Sequence, residues 1–288
     1  MTRYNVEGTG WASPFLLVPE ATTLDMETRE LLAKSKAKDF YLSKFSPLGV
    51  PFNTVKGTMS EAQKLERAEA GRPGSPCPKG HLVSNMEFSK KPVCTAAVFY
   101  QKRKINEAKE GQANGQLNED DYENAYQRVI DKACLCEDLA AGAFIEFGLE
   151  NPEGKARPKK TAVCPGPNLA NFSKLYSLKE MVSHIYGKVN LLKNIPRPHF
   201  FISECKMYIR FIEEEIQKAM PQPSEKDIAY LQDFRNNLLD GIDYYQSLFS
   251  EFSGEIKEQI LSELDAAKAE LDQVLAKHQS IFADLSVA

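Results

Sequence analysis

Residues 174–288 carry apolar side chains at three- and four-residue spacing almost without a break, so this half of the chain must bury stripes of helix rather than faces of a sheet. Ser177-Leu178-Lys179-Glu180 opens the segment as a capping box, in which the hydroxyl and the carboxylate each accept from a free N–H at the helix start. Leu178, Met181, Val182, Ile185, Val189 and Leu192 then repeat on one side until Pro196 and Pro198. A second helix is predicted from about His199 to Ala219, with Phe201, Cys205, Tyr208, Ile212 and Ile216 inward and Pro221 and Pro223 as its stop. Ser224 and Asp227 start a third, carrying Ile228, Leu231, Leu238, Ile242, Tyr245 and Phe249. Beyond Gly254, a fourth places Ile260, Leu264, Ala267, Leu271, Val274, His278 and Ile281 in a heptad seam. Four helices with short connections predict an antiparallel bundle. The expected fold is mainly α, with little β-structure.

The chain reads as three parts: a mixed N-terminal segment at 1–60, a cysteine-bearing section at 61–173, and the bundle at 174–288. In the middle part, Gly71-Arg72-Pro73-Gly74-Ser75-Pro76 excludes both helix and central strand. Residues 104–118, with Gly111 and Gly115, read as a solvated or mobile connection. Asn118 caps a helix with Tyr122, Tyr126, Val129 and Ile130, which delivers Cys134 and Cys136 at its end. An apolar stretch from Leu139 to Phe147 follows, then a polar loop, then a short strand Thr161-Ala162-Val163 feeding Cys164.

Five of the six cysteines lie between residues 77 and 164. Thiolates gathered from separate loops suit a shared zinc ion or iron–sulfur cluster. The candidate ligands are Cys77, Cys134, Cys136 and Cys164, with Cys94 in reserve and His81 as the nearest substitute. Cys77 and Cys164 each precede a proline, which frees the local backbone from regular pairing. The usual zinc pairing of two cysteines two to four residues apart is missing, which favours iron–sulfur over zinc. The competing readings are small buried thiols filling a core and a redox thiol. Cys205 falls on the apolar side of its helix and reads as core.

Charge excludes one class of partner. The net charge is -4, and residues 174–288 hold 13 Lys/Arg against 18 Asp/Glu, so no general attraction to nucleic acid is expected. The longest early apolar run, Phe15-Leu16-Leu17-Val18, is too short for a leader core or a membrane span. A cytoplasmic protein without a membrane partner is the expectation, and in that compartment thiols stay reduced or bind metal.

Gly8-Thr9-Gly10-Trp11, followed by Phe15-Leu16-Leu17-Val18-Pro19-Glu20-Ala21, resembles the last strand and following loop of FMN-dependent (β/α)8 barrels of the nitronate monooxygenase and enoyl-reductase type. In that family the Gly-Thr backbone helps hold the flavin phosphate, and only Gly8 and Thr9 match that role. A whole barrel needs about 250 residues. The resemblance therefore implies the C-terminal portion of a longer flavin enzyme, or a subunit completing a partner barrel that carries FMN. Together these readings predict an iron–sulfur or zinc protein supporting an oxidoreductase, with a flavoprotein barrel or redox partner. The alternative is a non-catalytic helical protein-interaction module with buried structural cysteines.

Overall fold

The computed structural model describes residues 10–44, 46–47, 50–75, 85–149, 162–192, 200–220, 223–251 and 255–283. It is mainly helical, with a single small antiparallel sheet among the described residues. Two compact units divide the chain, Met1–Asn194 and Ile195–Ala288.

The first unit begins with a 3-10 turn at Ser13–Leu17 and helix α1 at Met26–Lys34. Asp25 caps α1 by accepting from the Thr28 N–H at 2.7 Å. Strands β1 (Phe40–Ser43) and β2 (Phe52–Val55) pair with Phe40 opposite Val55, and both of these side chains are fully buried. Helix α2 (Met59–Glu69) follows its cap Thr58. Helices α3 (Val98–Ala113) and α4 (Glu119–Ile130) form a hairpin around Gly115, whose φ of 71° explains a glycine at the turn. The expected connection at 104–118 is thus mostly helix. Ile105, Ala108 and Gly111 face inward, and Gly111 lies where Leu117 folds back, 3.2 Å from the place a Cβ would take. Asn118 and Asp121 form the capping box of α4, whose Tyr126, Val129 and Ile130 pack on Ala68 and Ile105.

Helix α5 (Leu135–Glu146) and helix α6 (Leu178–Ile185) complete this unit. The Ser177/Glu180 capping box starts α6. The helix ends sooner than its apolar pattern suggests, because Gly187 turns the chain at φ 71° and the next N–H returns to the Ser183 carbonyl. Residues around α6 attach to the N-terminal strip: the Tyr176 N–H donates to the Leu17 carbonyl, the Leu178 N–H to the Glu20 carboxylate, and His184 meets the ring edges of Trp11 and Phe172.

The bundle of the second unit is consequently built from three long helices rather than four: α7 (Phe200–Ala219), α8 (Glu225–Ser250) and α9 (Glu255–Lys277), with a short α10 (Gln279–Ala283). The prolines and glycine invoked as helix stops, Pro196, Pro198, Pro221 and Gly254, lie outside the described residues. One end of the core joins Ile216 and Ala219 of α7, Leu231 of α8, and Leu271 and Val274 of α9. The other end joins Ile202, Phe249, Ile260 and Leu264. The start of α8 therefore meets the ends of α7 and α9, an up–down–up arrangement. Ile260, Leu264, Ala267, Leu271, Val274 and Ile281 are all buried, whereas His278 is half-buried where α9 gives way to α10.

Candidate functional site around the fifth helix

Helix α5 is mostly apolar, yet it carries Asp138 in its first turns. That carboxylate is 1% exposed and accepts from the Ser60 hydroxyl, itself 6% exposed. Ser60 stands at the second position of α2, so Asp138 faces a helix start, where unsatisfied N–H groups and the macrodipole favour an anion. Beside it lies a cavity of about 20 Å³, the size of one water, where Tyr41, Thr58, Ser60, Glu61 and Lys64 meet Ala133 and Ala162. The Lys64 ammonium is fixed by the Asp131 carbonyl at 3.1 Å, and the Tyr41 hydroxyl donates to Glu61 at 3.1 Å. The Asp138 carbonyl accepts from the Ala162 N–H at 3.1 Å, which holds residues 162–164 against α5.

This scaffold places the cysteines. Cys134 is the buried N-cap residue of α5, and Cys136 is half-buried in its first turn. The Cys-x-Cys pair lies at the junction of two helices, just after α4 has ended at Ile130 and where α5 starts. Cys164 is exposed on the segment tied to Asp138. Cys94 is half-buried in another loop. Its neighbour Thr95 and Lys132, two residues before Cys134, share the side-chain amide of Gln101 at 3.4 and 3.1 Å, and Gln101 is 1% exposed. Backbone segments bearing four of the five candidates are thus tied to α5 and its approach. Among the described residues, however, no three His, Cys, Asp or Glu side chains group so as to hold a metal ion. Cys77, His81, Gly8 and Thr9 lie outside the described residues. Cys205 is core, as its position on α7 predicts, and burial, with the nearby Glu270 charge, pushes its thiol up to about 11.

The far end of α5 forms a cleft of about 440 Å³. Leu16, Leu24, Leu139, Phe147 and Val163 supply its apolar walls, and Thr23, Glu146 and Cys164 its polar points. The strip at Thr22–Leu24 is held by the buried Arg29 guanidinium, which donates to the Thr22 carbonyl. It lies so close to α5 that a Cβ at Gly142 would overlap the Thr23 carbonyl oxygen. The Thr23 hydroxyl donates to the Glu146 carboxylate at 2.7 Å. Sequence reasoning missed Ser60, Asp138, Gly142 and Glu146. Asp138 directly precedes the apolar run from Leu139, beside Glu137, and nothing in the sequence singles it out; all four depend on which segments meet.

Comparison with known proteins returned no match to any protein family, curated protein or solved structure.

Proposed function

We propose that this chain is a non-catalytic helical interaction protein whose acidic three-helix unit docks a basic partner, with its buried cysteines, Cys134 and Cys205, serving as packing residues. The observation that carries this reading is the bundle itself. Among the described residues its apolar stripes pack against one another in two core clusters, which leaves its outer surface free to differ from its core. That surface is strongly acidic: residues 195–288 hold 9 Lys/Arg against 17 Asp/Glu. On α9, Glu258, Asp265 and Asp272 recur every seven residues and all are exposed, with Lys268 between the last two and paired with Asp243 of α8. A net-acidic face steers an oppositely charged surface, an effect that weakens with salt. The test compares the whole chain with a Glu258→Lys, Asp265→Lys, Asp272→Lys variant. A purified partner recovered with the wild-type chain should bind in low salt, lose affinity at high salt, and fail to bind the variant. Equal binding by the variant removes the acidic row from the account.

A second reading has one observation in its favour, the hydrogen-bonded convergence of the segments bearing Cys94, Cys134, Cys136 and Cys164. On that reading an iron–sulfur or zinc centre supports an oxidoreductase, with FMN supplied through a partner barrel completed at Gly8 and Thr9. Metal content of anaerobically purified protein separates the two.

A further inference from the structure

The cleft at the end of α5 joins two features that call for the same kind of ligand. Its volume of about 440 Å³ lies within the range of small-molecule sites, which are typically apolar with a few fixed polar groups. Two of its wall residues are unusually open to solvent for their type, Phe147 at 73% and Leu139 at 48%. The second feature is electrostatic. Glu146 occupies the last turn of α5, at the negative end of the helix dipole and with no basic residue in that turn; the Ala143, Phe144 and Ile145 carbonyls there accept from the N–H groups of residues 147–149. Among the described residues its hydrogen-bond partner is the neutral Thr23 hydroxyl. A carboxylate at a helix C-terminus, beside an apolar wall, is complementary to a cation that carries its own apolar body.

We propose that this cleft binds a small organic amine, its ammonium group on the Glu146 carboxylate at the negative end of α5, its apolar body against Leu139, Phe147 and Val163. The shape of the cleft depends on Gly142, because the Thr22–Leu24 strip could not approach α5 over any larger residue. This inference stands apart from the docking role of the acidic bundle: it concerns the first unit alone and survives if that role fails.

The test uses three isosteric probes on the full chain: 4-phenylbutylamine, 4-phenylbutanol and 4-phenylbutyrate, titrated while following backbone amide NMR shifts. The amine should shift resonances of residues 139–147 and 162–164 and bind about tenfold more tightly than the alcohol, the scale of one charge-assisted hydrogen bond. The butyrate should bind most weakly. Glu146→Gln should erase the preference of amine over alcohol while leaving the fold unchanged. Ala143→Phe, a substitution at an exposed helix position lining the cleft, should abolish binding of all three. The proposal is overturned if amine and butyrate bind equally, if the shifts map elsewhere, or if Glu146→Gln keeps the preference. Binding of a leucine-rich lysine peptide without binding of the amine would make the cleft a peptide groove and likewise sink the proposal.

Discussion

Leu271→Ala tests the packing of the second unit. Leu271 is fully buried on α9 and shares one core cluster with Cys205, Ile209, Ile212 and Ile216 of α7 and Leu231, Leu238 and Ile242 of α8. Truncation removes three carbons from a site walled by two other helices, and those walls have little room to collapse inward. The cost should be about 3 kcal/mol, within the usual range of about 2–5 kcal/mol for a buried leucine. For a unit of this size, each 1 kcal/mol is worth about 4–8 °C, so the unit's melting temperature should fall by roughly 12–24 °C. Helical circular dichroism of the full chain during heating measures this directly. Because the chain has two compact units, only one of two transitions should move. Glu270→Ala, at the exposed neighbouring position, is the control and should shift stability by less than about 0.5 kcal/mol. A Leu271→Ala shift no larger than that of the control would refute the buried seam.

Other consequences are equally direct. Ser60→Ala deprives the buried Asp138 carboxylate of a hydroxyl donor and should destabilise the first unit by about 1–3 kcal/mol in urea unfolding, with no effect on the second. Gly142→Ala forces a methyl group against the Thr23 carbonyl and should cost about 1–3 kcal/mol, visible as shifted amide resonances at 22–24; an unchanged spectrum would contradict the close approach. Burial pushes Tyr100 and Tyr230 up to about 12, with the Glu87 carboxylate adding to the shift at Tyr100. Since their folded values lie above the ordinary value of 10.0, the fold holds these protons more tightly than the unfolded chain does. That contribution is complete below pH 10 and is lost between about pH 10 and 12, so tyrosinate absorbance should show late-titrating groups, Tyr100 and Tyr230 last and Tyr126 and Tyr245 also raised by burial, that become ordinary in denaturant.

The helices of the second unit were legible because local and global signals agree there. Ser224 with Asp227 caps α8, the heptad seam of α9 is buried almost to its last member, and Cys205 sits in the core that its spacing implied. What an apolar stripe does not state is its partner. The stripe from Leu178 looked like a fourth bundle helix, yet Met181 is buried within the first unit and the helix stops at Gly187. Glycine misled in the opposite direction at Gly111, which marks a tight packing position inside α3 instead of a loop. The strands β1 and β2 are four residues each, too short for alternation to stand out from their surroundings. The site was the least readable part. Ser60 and Asp138 are 78 residues apart, and Thr23 and Glu146 are 123 apart. Only the folded chain brings these pairs together, and the clustering of cysteines in sequence does not determine where their sulfur atoms lie.

Whether those cysteines pack or ligate decides between the two readings of this protein. The most direct measurement is iron, acid-labile sulfide and zinc in full-length protein purified without oxygen, set against protein concentration. A non-catalytic interaction protein with structural thiols predicts well under one metal per chain, and an unchanged melting curve after chelation. One equivalent or more of zinc, or iron with matching sulfide, lost together on Cys134→Ser or Cys136→Ser but retained on Cys205→Ser, would contradict it and establish the metal-centre reading in its place.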